Sequence, residues 1–533
     1  LTKNVSRDEQ FKSPKHPDYL ETDKLKQGSF SASTSEAFSY NGDLNIAFGK
    51  LFVEKHQVNV VGGWSFSENK NKRDGYSVVG FNDDLHMNPA FSTGFTDGQK
   101  PNYSLERSRS TSFFMNVNYS FMNRYLMDFN VRSDGTSKFG ANKRFSTTWS
   151  VGLAWNIHNE EFMKSLGLFT NFKIRASVGN PGNQNFDAYQ AMKIYKYNVE
   201  LQNMFGSSAI IDQFGNKDLD WQRTLDKNIG VDISMLRNRI RVTLDYYYKD
   251  TDPLLISVPM PPSVGVGSIN ANSGRQLSWG WNGSIFGTVI QKQDMSWTLN
   301  MNFRTSKSEY RDIGDKLNEF NELGSAQSLV RYYEGASPDD MWAVPSLGID
   351  PATGAEMFRK KDGSQTFIYS TADEVVVGCS RPDVEGVIGS SFYYKGFSAS
   401  VNFRYRLGGE VMASALYSKV ENISEEQIYY NQDKRALHDR WQKPGDKAKF
   451  KSIKDTSPTP MSSRFVRTEN TFSGESISMG YESSAAWIKK IGAEGITFRA
   501  YMNDIFRVSS FKEERGTDYP FARTVSFSLS LRF

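Results

Sequence analysis

Long stretches of this chain alternate between apolar and polar residues, and that period of two constrains the fold more than any other feature. From Thr111 to Phe121 the odd positions are Thr111, Phe113, Met115, Val117, Tyr119 and Phe121, while the even positions are mostly Ser and Asn. Successive side chains of a strand point to opposite faces, so one face here is greasy and the other wet. Phe145 to Ile157 repeats the pattern, with Phe145, Trp149, Val151, Leu153, Trp155 and Ile157 opposite Ser146, Thr148, Ser150, Gly152, Ala154 and Asn156. The same period runs through 38–48, 58–66, 125–131, 172–178, 229–233, 240–248, 279–289, 297–303, 388–394, 397–405, 477–481, 496–502 and 525–533. It predicts about fifteen strands, many near the 9 to 11 residues that cross a bilayer at a tilt and longer than the 5 to 6 of an average soluble strand.

The connections between these strands alternate in length. Asn123-Arg124, Arg237 to Arg239, Gln291 to Asp294 and Lys395-Gly396 are tight turns, whereas 67–109, 179–222, 306–385 and 408–474 are long polar excursions. Short turns on one side and long loops on the other describe an all-β chain closed as a transmembrane antiparallel barrel, a better fit than a soluble sandwich or propeller. Tyr125, Trp155, Tyr246, Trp279, Trp297 and Tyr405 lie near strand ends on the apolar face, where rings suit the headgroup boundary. The other face carries Asp128, Asn130 and Arg132, then Arg404 and Arg406, then Ser526, Ser528, Ser530 and Arg532. Those groups need water or partners, so the lumen is wet or filled by a polar plug.

Composition removes other classes. With 64 basic and 60 acidic residues the net charge is +4, which gives no basic field for nucleic acid. The single cysteine, Cys379, permits neither an internal disulfide nor a cysteine metal cluster. No run of about 18 to 20 apolar residues forms a spanning helix. The uncharged stretch Pro253 to Gly274 is broken by Pro253, Pro259, Pro261 and Pro262 and reads as loop. No secretory leader is visible at the N-terminus. His16, His56, His86, His158 and His438 are scattered, and neither a metal-binding His pair nor a nucleophile elbow or phosphate loop occurs, so neither an enzyme nor a cofactor is expected. Asp350 and Asp362 stand beside Gly-containing turns, which accounts for them better than a calcium loop does. The long loops hold Tyr332, Tyr333, Glu334, Asp339, Asp340 and Trp342, stacking faces and carboxylates that are candidates for contact with a sugar or peptide.

Five segments carry a resemblance: RSDGTSKFG from Arg132 to Gly140, IRASVGNPGNQ from Ile174 to Gln184, LDYYYKDTDPLLISVPMPPSVG from Leu244 to Gly265, GIDPATG from Gly348 to Gly354, and SISMGY from Ser476 to Tyr481. In these and in their order the chain resembles the SusC/RagA-like TonB-dependent transporters of Bacteroidota outer membranes. The resemblance implies a 22-stranded barrel, of which residues 1–533 are expected to form the C-terminal part. The N-terminal part of the transporter, with its plug and TonB box, is not seen here. Counting back through the turns puts 1–37 in an extracellular loop, with the other long loops on the same side. The alternating last strand ends on Phe533, similar to the C-terminal signal that directs barrel assembly in the outer membrane of Gram-negative bacteria. The implied function is import of a glycan oligomer or peptide, with a SusD-like surface lipoprotein as lid, TonB acting through the plug, and lipid around the wall. A siderophore or cobalamin receptor is the alternative within transport. A non-transporting adhesin or structural barrel is the alternative outside it, followed by a soluble β-rich binding protein.

Overall fold

The computed structural model describes residues 1–533 apart from 20–21, 83–87, 96–99, 139–143, 183–191, 205, 217–218, 261, 314–320, 322–327, 425, 430–431, 491 and 512–522. Sixteen strands follow one another through a single antiparallel sheet. They are β1 (Thr2–Lys12), β2 (Ser29–Phe52), β3 (His56–Val79), β4 (Asn102–Phe121), β5 (Tyr125–Thr136), β6 (Phe145–Asn156), β7 (Phe169–Asn180) and β8 (Thr224–Met235), then β9 (Ile240–Thr251), β10 (Arg275–Lys292), β11 (Met295–Arg304), β12 (Val384–Tyr394), β13 (Phe397–Leu407), β14 (Thr471–Ser483), β15 (Gly495–Ser509) and β16 (Val525–Arg532). Among the described residues β1 pairs with β2, β16 with β15, and every strand between with the ones before and after it, the up-and-down order of a barrel wall. Gly94–Phe95 and Lys307–Arg311 also pair with β3 and β10, giving an 18-stranded sheet.

Where alternation is strict the strands form as expected. Short connections join them at one end: 53–55, 122–124, 236–239, 293–294 and 395–396. Lys395 (φ 45°) and Gly396 (φ 89°) are both left-handed, as a two-residue hairpin turn requires to match the twist of its strands. The reading of 1–37 as a loop is corrected, because Thr2–Lys12 runs against Ser29–Ser39 as β1. Its Lys3, Arg7, Asp8 and Glu9 fall on both faces, which erases the hydrophobic period without weakening the backbone ladder. The 67–109 excursion is shorter than expected for the same reason, since β3 and β4 stay paired from Ser67↔Ser110 to Gly75↔Asn102. The 179–222 connection carries a hairpin of its own, Ile194–Asn203 with Gly206–Gln213.

The wall leaves its apolar face uncovered. Leu44, Ile46, Phe48, Phe113, Leu153, Phe527 and Leu529 are exposed, Ile46 at 71%. Rings gather at both margins of this band. Tyr125 stacks on Trp155 at 6.3 Å near the short turns, and Trp64 on Phe113 at 6.3 Å toward the long loops. From Phe121 to Phe113 a strand advances about 27 Å. A tilt of about 40° leaves about 20 Å across the sheet, close to the height of a lipid-facing band. Small residues let rings lie along the wall. Gly386 faces Tyr405 across the ladder, and a Cβ there would stand 2.0 Å from the Asn302 carbonyl oxygen, which accepts from the Tyr405 hydroxyl at 3.0 Å.

Much of the buried apolar packing belongs to the long connections. Leu329, Ala343 and Val466 form one cluster and Val420, Ala436 and Phe450 another. The connections after β11 and β13 are thereby joined into one unit. Ser346 N–H donates to Ser463 Oγ at 2.8 Å, Trp441 Nε1 to the Pro351 carbonyl at 2.9 Å, and Arg464 lies between Glu356 and Glu421.

Candidate ligand-binding lumen

Pairing register decides which side chains share the inner face. Asn130 and Arg132 on β5 stand opposite Ser150 and Thr148 on β6, and Ser150 stands opposite Gly179 on β7. Gly179 is matched with Asp226 on β8, and Asp226 with Lys249 on β9. Lys249 pairs with Ser278, and Asn282 two steps along its face pairs with Arg304 on β11. Arg304 stands opposite Glu385, and Glu385 opposite Arg406 on β13. Every second residue of these strands therefore turns one polar row toward the lumen, at the end of the wall that carries the long loops.

This row lines a cavity of about 920 Å³. Tyr247 and Pro181 supply flat apolar surface; Arg132, Arg175, Lys249, Arg304 and Arg381 supply positive charge; Asp226 and Asp245 supply negative charge. Arg175 bridges Asp232 on β8 (Nε to Oδ2, 3.0 Å) and Asp245 on β9 (Nη2 to Oδ2, 2.9 Å). Arg132 Nε donates to Asp134 at 2.7 Å, and Lys249 lies 3.3 Å from Asp226. The Tyr247 hydroxyl donates to Ser306 Oγ at 2.7 Å, tying the cavity to the connection that follows β11. A second hollow of about 270 Å³ adjoins it through shared Arg304, Ser306 and Arg381, and is completed by Asp339, Ser380, Pro382, Glu385 and Arg406. A concave surface with fixed polar groups and little apolar lining has the make-up of a candidate site for a polar ligand.

The six loop residues singled out from the sequence all lie in the connection between β11 and β12. Tyr333 packs on Trp342 with ring centroids 4.6 Å apart, and Tyr332 on Tyr310 at 5.8 Å. Trp342 Nε1 is buried with no hydrogen-bond partner among the described residues. The Glu334 carboxylate accepts from the N–H groups of Asp312 (3.1 Å) and Ile313 (3.0 Å), closing its own loop. Asp340 Oδ2 accepts from Ser337 N–H at 2.8 Å, and burial pushes its carboxyl above the ordinary aspartate range. Asp339 pairs with Arg381 at 2.7 Å and is the member of the six that lines the second hollow. Arg304 and Arg381 escape the sequence reading. Arg304 follows Thr298, Asn300 and Asn302 on the polar side of its own strand, so alternation sets it on the inner face, and what the sequence lacks is the register that brings it into line with Glu385 and Arg406. Phe533 follows β16, with 78% of its surface exposed.

The sequence and the fold have relatives. Residues 4–348 match the family described as "TonB dependent receptor-like, beta-barrel". TonB-dependent receptor P39 of Formosa agariphila is 25% identical over 521 residues, 87% of this chain and 49% of that protein. TonB-dependent receptor SusC of Bacteroides thetaiotaomicron is 26% identical over 463 residues, 80% of this chain and 44% of that protein. The chain spans about half the length of these curated relatives. Its fold is similar to a solved structure of the RagAB peptide transporter, with a TM-score of 0.82 at 21% identity over 96% of this chain and 56% of that one.

Proposed function

Because the chain belongs to the TonB-dependent receptor-like β-barrel family, an outer-membrane family of receptors and transporters rather than enzymes, we propose that it supplies wall and outer loops to an importer of oligomers. The cargo is a glycan oligomer or a peptide that enters from the long-loop side. The observation that carries this reading is the ion-paired cavity of about 920 Å³ on the inner face beneath those loops, too polar for a structural core and too large for a few waters. One fold neighbour, RagAB, is a peptide transporter, which supports an oligomeric cargo. On this reading a SusD-like lipoprotein closes over the loops once the lumen is loaded. TonB then draws on a plug contributed by the rest of the transporter and opens a path. Short turns face the periplasm and long loops the exterior, the usual arrangement of such barrels.

Asp339 and the Tyr333–Trp342 pair are proposed as loop-level contacts with the cargo, and Phe533 as the assembly signal. The test is uptake by cells of the source bacterium with the complete gene present or deleted, fed labelled oligosaccharides or labelled peptides, with and without a protonophore. Import that needs both the gene and the proton-motive force is expected. Surface binding with no gene-dependent accumulation inside the cell would replace transport with adhesion.

A further inference from the structure

We propose that Arg304, Arg381 and Arg406 form an anion subsite that holds a carboxylate or sulfate group of the imported oligomer, a proposal that rests on the import reading and narrows its substrate class. The acids near this corner are already engaged. Asp339 takes Arg381 at 2.7 Å and the Ser308 hydroxyl at 3.3 Å; Asp226 takes Lys249; Asp232 and Asp245 take Arg175. Glu385 sits 3.6 Å from Arg406, whose Nε is buried and makes no hydrogen bond among the described residues. Arg304 lines both hollows and has no ion-pair or hydrogen-bond partner among the described residues. The corner therefore keeps positive charge that its own carboxylates leave unmatched.

Arg381 is held in place as well as charged, because its Nη1 donates to Ser306 Oγ at 2.6 Å while its Nε faces Asp339. A ligand anion entering between the three side chains meets donors that are partly fixed before it arrives. A guanidinium's parallel N–H pair matches two oxygens of a carboxylate or sulfate, and charge-assisted bonds of this kind are the strong ones. The Ser306 hydroxyl, which accepts from Arg381 and from the Tyr247 hydroxyl, keeps its own proton as a neutral donor at the rim of the same hollow. A neutral oligomer would leave Arg304 unmatched, so the subsite selects for acidity as well as tolerating it.

The experiment uses the complete transporter and whatever copurifies with it from outer membranes, in wild-type form and as Arg304→Glu and Arg304→Gln. Cells are grown with a casein digest and a mixture of neutral and uronic-acid oligosaccharides, and the oligomers retained by the protein are identified by mass spectrometry. The wild type is expected to retain acidic members above their share of the medium. The ratio of acidic to neutral members should fall at least about tenfold in Arg304→Glu, as expected for losing one charge-assisted contact, and less in Arg304→Gln. Whether the retained acid is a peptide carboxylate or a uronate tells the two sources apart. Retained oligomers with no acidic excess, or a ratio indifferent to both substitutions, overturn the subsite and leave the import reading standing. A wild-type complex that retains no oligomer removes the import reading, and the subsite falls with it.

Discussion

Asp340 is a carboxyl placed where its charge is unwelcome. Burial raises its pKa, and neighbouring Asp339 adds like-charge repulsion, against the opposing effect of the Ser337 N–H. A raised value in the folded state means that the folded loop binds this proton more tightly than the unfolded chain does. The resulting stability is present below the ordinary aspartate pKa of about 3.9 and is lost as pH climbs through the raised value. Asp340→Asn keeps an oxygen for Ser337 and removes the charge, so it should stabilise the loop at neutral pH. The gain should shrink as the medium is acidified and Asp340 in the native protein becomes neutral by itself. Cys379 stands opposite Asp340 in the strand register and is half-buried, so its trapping rate by a dithiodipyridine, which reacts in acid as well, reports local opening. Slower trapping in Asp340→Asn at neutral pH, converging with the native rate near pH 3, is the expected result. A slowing equal at both pH values would rule out the charge as the cause.

The unit built from the two long connections depends on a buried ion pair. Arg331 and Glu374 have 0% and 2% of their side chains exposed and share two bonds of 2.6 Å each, Nε to Oε2 and Nη2 to Oε1. Glu374→Ala strands a guanidinium in the interior, which costs about 3 to 5 kcal/mol. Protease should then cut the 306–383 connection faster while the wall strands keep their circular dichroism and their resistance to cleavage. Replacing both partners, Arg331→Met with Glu374→Leu, should restore most of the protection, because the desolvation cost leaves with the charges. No restoration by the double variant, or simultaneous loss of the wall, would show that the pair does not act locally. This unit is where the sequence is least informative. The wall strands announce themselves because lipid on one side and water on the other impose a period of two over many residues. The loop unit meets water outside and a small core inside, and its contacts join residues as far apart as Ser346 and Ser463. Tyr333, Glu334 and Trp342 are recognisable from sequence as rings and carboxylates on a loop. That Glu334 closes a backbone turn and Trp342 backs Tyr333 follows only from packing.

At the scale of the whole molecule, parity along each strand separates lipid from lumen, and the sequence reveals the parity before it reveals any partner. Arg404 and Arg406 read as inward from their own strand and Arg304 from its own, but only the register of β11, β12 and β13 brings Arg304 into line with Arg406. The same parity makes adjacent residues respond oppositely to the same substitution. Val151 on β6 faces outward, paired with Phe129 and Val178 about midway between the two ring margins. Gly152, one residue on, faces the lumen, where a Cβ would sit 3.8 Å from the Cβ of Asp128. Val151→Arg sets a cation in the middle of the hydrocarbon and should cost about 2 to 4 kcal/mol. Gly152→Arg sets the same cation in the wet lumen beside a carboxylate and should cost well under half as much, since a solvated pair neither gains nor loses a great deal. Refolding the full-length protein into lipid vesicles across a urea series, followed by tryptophan fluorescence, separates the two. A large shift of the midpoint for Val151→Arg with a small one for Gly152→Arg is expected. Equal shifts would mean that the two faces meet the same solvent, and the wall could not then be a membrane barrel in that register.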